Sequence, residues 1–302
     1  MKNSMREIAQ MERLRMAKKK SECPESCESC PDMRKAFDMP VMAKITKIVD
    51  ETPTAKTFFI DHAIEAEPGQ FVMVWIPGID EKPFAISYLG KNPGLTAVLR
   101  GAYTQEMFKL KIGDRIGARG PYGKGFEFSK KEKACVIAGG IGVTEVITLI
   151  EELKKPTVIL GAKTANEIVF EKQIKKHAGE FYITTDDGSK GIKGYTTDVF
   201  RQLVEEKKKK FDIVYTCGPE FMMLKIFELC EKYKINYQAS LERYMKCAFG
   251  VCGECAMDGS LVCMDGPVYK REQIRKFTEL GKIARLKSGR EVSLKEYFMS
   301  HG

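Results

Sequence analysis

From Ala134 onward the chain alternates between short apolar runs and amphipathic ones. ACVIAGG precedes TEVITLIEELKK, PTVILGAK precedes NEIVFEKQIKKHA, EFYITTDD precedes TTDVFRQLVEEKKK, and FDIVYTCGP precedes EFMMLKIFELCEKYK. A strand apolar along its whole length needs cover on both faces. A helix following each strand supplies that cover and returns the chain to start a parallel neighbour. The pattern predicts a doubly wound parallel sheet over residues 129–236. Ligands are then expected beyond the carboxyl ends of its strands.

Residues 41–128 have another rhythm. AKITKIVD, TAKTFFID, GQFVMVWIPG, FAISYLG and LTAVLRGAY are short β-rich runs broken by Pro, Gly, Asn and Asp, which predicts an antiparallel barrel or sandwich. GDRIGARGPYGKGF reads as a turn-rich boundary closing that section. Residues 1–40 form a charged extension and residues 271–302 a tail rich in Lys and Arg. A chain of 302 residues has room for several such domains. The net charge of +9 is scattered. Its local runs, Lys18–Lys20 and Lys207–Lys210, carry no interleaved aromatics, so no nucleic-acid partner is expected. No apolar run reaches the roughly 18 residues a membrane helix needs, so no membrane span is expected. The N-terminus lacks the apolar centre of a secretory signal, which makes a cytoplasmic location the expectation.

Four of the ten cysteines fall in CAFGVCGECAMDGSLVC, at Cys247, Cys252, Cys255 and Cys263. In a reducing compartment a dense thiol group points to a metal or iron–sulfur site before disulfides. The spacing C-x4-C-x2-C matches the plant-type 2Fe–2S arrangement, with Cys263 as the later fourth ligand. Ala248, Gly250 and Gly253 leave room for backbone N–H groups to approach sulfide. A zinc site more often shows two C-x2-C knuckles; unrelated buried thiols rarely fall at ligand spacing.

The second signal is AGGIGVTE, where Gly139, Gly140 and Gly142 turn from a strand into a helix opened by Val143 and Thr144. Such a helix start offers N–H groups and a positive dipole to a pyrophosphate. A GGxG turn also occurs where nothing binds. CGPEFM, with Cys217, Gly218 and Pro219 at the end of a later strand, strengthens the nucleotide reading. Asp186 and Asp187 follow another strand. A carboxylate there accepts from a ribose 2′-OH and repels a 2′-phosphate, favouring NAD over NADP, although a DDGS turn accounts for both residues equally well. EKPFAIS and LRGAYT offer a basic residue, a proline-fixed strand and hydroxyls suited to a flavin, or equally an edge strand and a turn. Cys23, Cys27 and Cys30 have C-x3-C-x2-C spacing. They suit an extra cluster or metal completed by a partner or a distant residue, or a simple cysteine-bearing arm; no repeated β/α barrel follows that would suit a radical-SAM enzyme. Cys135 and Cys230 read as core thiols, and His62, His177 and His301 as isolated surface residues.

The order of these pieces, ending in SLERYMKCAFGVCGEC and VCMDGPVY, resembles the ferredoxin–NADP reductase superfamily. Within it the chain is similar to the electron-transfer subunits of dihydroorotate dehydrogenase B, over roughly residues 42–270. The resemblance implies an FAD-binding barrel at 41–128, an NAD-binding domain at 129–236 and a 2Fe–2S domain at 237–270. It places the family's R-P-x-S flavin motif on Lys82, Pro83, Phe84 and Ala85. Lysine replaces arginine there and alanine replaces serine, so Ser87 is expected to supply the missing hydroxyl. A second flavin contact falls on Leu99, Arg100, Gly101 and Thr104. The nicotinamide nucleotide falls on Gly139, Gly140, Gly142, Val143, Thr144, Asp186, Gly218 and Pro219. Cys217 is expected at the nicotinamide–flavin contact as the catalytic residue. Cys247, Cys252, Cys255 and Cys263 hold the cluster.

Glu145 stands where the family usually has proline. The small subunit of NADH-dependent ferredoxin:NADP oxidoreductase (sulfide dehydrogenase β) is similar and carries an acid there, but often has aspartate at the place of Cys247. The γ subunit of cytoplasmic hydrogenases is a third near relative. All three pass electrons between a nicotinamide nucleotide, FAD and a 2Fe–2S centre, and a flavin suits that junction because it handles hydride pairs and single electrons alike. The resemblance implies a catalytic partner subunit, of the dihydroorotate dehydrogenase type first, in a hetero-oligomer serving pyrimidine biosynthesis. A non-redox zinc-binding adaptor on the same fold is the alternative from another class.

Overall fold

The computed structural model describes residues 38–286 and 288–301; Cys23, Cys27 and Cys30 lie outside the described residues. Strands β1 (Val41–Thr52), β2 (Ala55–Ile60), β3 (Phe71–Ile76), β4 (Asp80–Tyr88), β5 (Gly94–Val98) and β6 (Arg115–Tyr122) close into a barrel in the order β1-β2-β5-β4-β3-β6. Its pairings are antiparallel. Ile45, Phe58, Val72, Val74, Ile86, Leu95 and Ile116 form its buried interior. Helix α1 (Ala102–Lys109) plugs one side with Tyr103 and Met107, and the Tyr103 hydroxyl donates to the Val74 carbonyl at 2.7 Å.

Two expectations change here. The stretch read as a turn-rich boundary contains β6, which pairs with both β1 and β3. Closure of the barrel supplies ladder partners that a glycine- and proline-rich run does not advertise locally. The end of LTAVLRGAY starts α1 instead of continuing a strand.

The second sheet has the order β10-β9-β8-β7-β11-β12-β15. Its strands are β7 (Ala134–Gly139), β8 (Thr157–Ala162), β9 (Glu180–Thr185), β10 (Ile192–Lys193), β11 (Ile213–Cys217), β12 (Asn236–Ser240) and β15 (Val268–Lys270). Only β15 runs antiparallel. On one face, helix α2 (Val143–Glu152) covers Val136, Ala138, Val158 and Leu160, with Ile174 of α3 (Glu171–His177). On the other, α4 (Thr196–Arg201) and α5 (Glu220–Tyr233) cover Cys135, Ile137, Ile159 and Val214, together with Cys230. Alternate residues of each strand feed opposite cores, which is why the strands read as uninterrupted apolar runs. NEIVFEKQIKKHA is helical only from Glu171; Ile168, Val169 and Phe170 are all buried, and Phe170 turns left-handed (φ 60°) to start the helix. Three consecutive apolar side chains cannot share one face of a helix, so burying them all demands a non-helical backbone.

The sheet continues past residue 236, the boundary drawn from sequence, through β12 and β15, between which lie a hairpin of β13 (Ala256–Met257) and β14 (Ser260–Leu261) and the short helix α6 (Val262–Asp265). The segment from 271, read as a basic tail, is folded: α7 (Arg271–Ile274), a hairpin of β16 (Ile283–Arg285) and β17 (Glu291–Ser293), and α8 (Leu294–His301). Ile274, Leu280, Ala284, Val292 and Leu294 are buried. Its arginines are partnered, Arg271 and Arg275 by Glu231, Arg285 by Glu279 and Glu291, and Arg290 by Glu296. Among the described residues no helix is long and apolar enough to cross a membrane.

Candidate functional site

Strand β7 begins the sheet; β8 and β9 are laid to one side, β11 and β12 to the other. The loops after β7 and β11 therefore diverge from neighbouring strand ends, which opens a crevice. The two turns meet backbone to backbone. A Cβ on Gly142 would lie 2.6 Å from the Cys217 carbonyl oxygen and 2.8 Å from the Gly218 nitrogen. A Cβ on Gly218 would lie 2.9 Å from the Gly139 nitrogen. Side chains are excluded from this junction by contact, so both glycines are structural requirements.

Around the junction lies a cleft of about 500 Å³, within the range of small-molecule sites. Gly139, Gly140, Gly142, Gly218, Pro219, Asp186 and Arg100 line it, so residues picked from four separate stretches of sequence converge. Gly142, the residue that leads into α2, lines the cleft, which sets the positive end of that helix's dipole beside it. The aspartates separate cleanly: Asp186 lines the cleft, whereas the Asp187 carboxylate accepts from the Ser189 amide (2.9 Å) and hydroxyl (2.6 Å), holding the turn. Lys163, Thr184, Tyr195, Ala284, Leu294 and Tyr297 also line the cleft. The first three sit near carboxyl ends of strands and could have been found by that rule. Nothing local marks the last three, which come from the C-terminal segment.

The flavin-motif residues lie on β4 and around α1. Lys82, Pro83 and Phe84 are half-buried. Lys82 binds Asp80 at 2.6 Å and stands 5.3 Å over the Tyr244 ring. Leu99 and Arg100 are exposed, and the amides of Arg100 and Gly101 both donate to the Thr104 hydroxyl (2.9 and 3.1 Å). Lys82, Arg100 and the start of α1 are each a donor type that suits a phosphate. Ala85 and Ser87 are both buried and neither lines the cleft. Ser87 is completely buried, outside the cleft, and its hydroxyl has no partner. Of this group only Arg100 reaches the cleft; Val143 and Thr144 are buried behind it.

Cys217, at the end of β11, lies beneath the glycine junction. Its side chain is completely buried, and burial, then Glu242 and Glu145, push its thiol well above the usual range. The sulfur is a neutral thiol under the junction, not a surface group, because the touching glycine turns seal it. Glu145 lies beside it, one carboxyl oxygen buried without a partner. Burial, with Glu242 adding repulsion, raises its pKa to about 8. The folded state thus holds a proton that the unfolded chain releases near 4.5, so stability falls as pH rises between those values. Glu145→Gln is expected to gain stability over the parent from pH 5 to 8, by up to about 1.4 kcal/mol per pH unit. Urea unfolding across that range checks it; a difference independent of pH would contradict the assignment.

The cysteine loop follows β12. Cys252 is exposed, Cys247 half-buried, and Cys255 and Cys263 are buried. The amides of Val251 and Cys252 donate to the Cys247 sulfur at 3.4 Å each, and the Cys263 amide donates to the Cys255 sulfur at 3.5 Å. Ala248 (φ 66°) and Gly250 (φ 81°) hold the left-handed conformations that aim these amides. Burial alone would raise Cys247, but the amides of Cys252, Phe249 and Val251 outweigh it and bring the thiol down to about 7. Burial, and then hydrogen bonding with Cys255, push Cys263 up to about 12, so metal must displace its proton. The loop thus gathers four cysteines and aims backbone amides at the sulfurs of Cys247 and Cys255, a donor set that fits an iron–sulfur centre.

Comparison with known proteins places the same features together. The iron–sulfur cluster binding domain of dihydroorotate dehydrogenase B matches residues 242–275. A protein of Methanocaldococcus jannaschii named "Probable dihydroorotate dehydrogenase B (NAD(+)), electron transfer subunit" is 44% identical over 262 residues, 85% of this chain and 99% of the relative. Its namesake in Pyrococcus furiosus is 45% identical over 238 residues, 78% and 92% of the two chains. The solved structure of an NADH-dependent reduced ferredoxin–NADP oxidoreductase superposes with a TM-score of 0.69 at 27% identity, over 77% of this chain and 89% of that one. The flavohem-like FAD/NAD binding domain of a Vibrio cholerae nitric oxide dioxygenase shares the fold (TM-score 0.57, 17% identity, 67% and 98% of the chains).

Proposed function

We infer the function from one premise: this chain belongs to the family of dihydroorotate dehydrogenase B electron-transfer subunits. It is an oxidoreductase subunit that moves electrons between a catalytic partner, a 2Fe–2S centre, FAD and NAD(H). The partner oxidises dihydroorotate and NAD+ is the final acceptor, in pyrimidine synthesis in the cytoplasm. FAD, when bound, supplies the exchange between hydride pairs and the single electrons an iron–sulfur centre handles.

We assign the roles of the residues as follows. The barrel, residues 41–128, holds FAD, with Lys82 and Arg100 neutralising phosphate and the start of α1 donating to it. The sheet domain, from residue 129 through β12 and β15, holds NAD: the α2 N-terminus and the Gly139–Gly142 and Gly218–Pro219 turns receive pyrophosphate, and Asp186 accepts from the ribose hydroxyl. Cys247, Cys252, Cys255 and Cys263 ligate the centre. Protonated Glu145 keeps a second negative charge away from Glu242 in the cleft wall. Phe249, Val251 and Met264 are exposed around Cys252, Val251 to 76%, and such an apolar patch favours this edge for the partner.

The observation that carries the reading is the four-cysteine loop with backbone amides aimed at the Cys247 and Cys255 sulfurs. Protein purified anaerobically is expected to contain iron and labile sulfide with FAD, and to be bleached by NADH. Combined with the catalytic subunit it should support dihydroorotate-dependent NAD+ reduction. A colourless protein carrying zinc would reverse the reading in favour of an adaptor. The structural likeness to the ferredoxin–NADP oxidoreductase favours one second reading, a subunit serving ferredoxin; the partner that co-purifies separates the two.

A further inference from the structure

We propose that Arg119 is the positioning residue that ties the cluster loop to the flavin-motif strand and makes the iron–sulfur centre easier to reduce. The inference rests on the four-cysteine assignment above. Arg119 lies on β6, with its side chain only 8% exposed. Its Nε and Nη2 donate to the two carboxylate oxygens of Glu81 at 2.7 and 2.6 Å. Its Nη1 donates to the Tyr122 hydroxyl at 2.9 Å and to the Cys247 carbonyl at 2.8 Å. The guanidinium carbon stands 5.8 Å from the Phe249 ring, two residues further along the same loop.

One planar group therefore joins three segments: β4 at the residue before Lys82, the strand that closes the barrel, and the backbone of the first cluster cysteine. The task needs a rigid fork. Two parallel donors hold the carboxylate while a third nitrogen reaches the carbonyl, a geometry an ammonium cannot reproduce.

The charges are ordered as well as the hydrogen bonds. The cation touches the cysteine loop, and the carboxylate that balances it lies on the far side, on β4. One-electron reduction adds negative charge to an iron–sulfur centre, and nearby charge and hydrogen bonds set its potential. The near cation favours the reduced form, and Glu81 partly offsets it. Removing each partner thus has opposite consequences. Arg119→Met leaves the Glu81 anion behind and disfavours reduction. Glu81→Gln leaves the cation and favours it.

The test is an EPR-monitored redox titration of the iron-loaded complex for the parent, Arg119→Met, Arg119→Lys, Glu81→Gln and the double variant. A charge removed within a few ångströms of the loop is expected to change the one-electron equilibrium about ten-fold, which is about 59 mV. The potential should fall in Arg119→Met and rise in Glu81→Gln. It should return toward the parent in the double variant, and Arg119→Lys should restore at least half of the loss. A merely structural role would move both single variants the same way or neither, and either result overturns the proposal while iron in the parent keeps the functional reading. If Arg119→Met loses its iron, the direction of the Glu81→Gln shift decides. A parent without iron overturns both.

Discussion

Cys255→Ser is expected to abolish electron delivery to the partner while leaving the nucleotide cleft intact. Cys255 is almost completely buried. Its sulfur accepts from the Cys263 amide at 3.5 Å and its carbonyl accepts from the Val262 amide at 3.3 Å. A serine hydroxyl in that place remains protonated near neutrality and is a poor match for iron, so one of the four sulfur ligands is lost. Changing a residue that merely supports a ligand costs about 10–100-fold in metal affinity, and loss of the ligand itself should exceed that. The variant should contain little iron or labile sulfide, and its transfer rate to the partner should drop by at least about 100-fold. The glycine junction belongs to a different part of the sheet, so NADH should still reduce the bound flavin. Iron content, a visible spectrum and stopped-flow reduction check the three parts. Full iron with an unchanged transfer rate would remove Cys255 from the ligand set.

The largest stability effect is expected at Glu220 and Arg243. Glu220 is in the first turn of α5, directly after the Cys217–Pro219 turn, and forms an ion pair with Arg243 in which both side chains are buried. Glu220 also accepts from the Gly281 amide at 2.6 Å. Arg243 further donates to the Glu242 carbonyl (2.8 Å), the Met257 sulfur (3.1 Å) and the Ile283 carbonyl (3.4 Å). The pair thereby fastens the nucleotide turn, the segment before the cluster and the C-terminal hairpin to one another. Glu220→Ala leaves a buried guanidinium uncompensated, at an expected cost of about 3–5 kcal/mol. Arg243→Met should cost a similar amount, and the two together less than their sum, since neither charge is then left alone. Denaturant unfolding measures each. NADH affinity should weaken alongside, because Ala284, Leu294 and Tyr297 line the cleft from the hairpin and helix this pair anchors. An additive double variant would show the pair to be energetically idle.

The fates of individual residues show which signals travel through sequence. Gly142 and Gly218 were legible because a turn that must touch another turn excludes side chains. The four cluster cysteines were legible because a short loop must bring its sulfurs together, and spacing along the chain is then almost distance in space. Asp186 and Asp187 could not be told apart by spacing; the Ser189 hydrogen bonds decide that one holds the turn while the other faces the cleft. That Ser87 lies wholly buried is not legible either, since position along a strand does not reveal what covers each face.

What the sequence determined by itself was the strand–helix alternation, the double winding it forces, and the local loops that turn on glycine or gather thiols. The tertiary structure alone decided that β6 closes the barrel and that the basic C-terminal segment folds back against the nucleotide cleft. It also placed Arg119 between the flavin strand and the cluster loop. The physical reason is range. Periodicity and spacing record constraints that a few neighbouring residues satisfy among themselves. Strand closure and buried ion pairs are satisfied by partners tens to more than a hundred residues away, and only the assembled chain brings them within hydrogen-bonding distance.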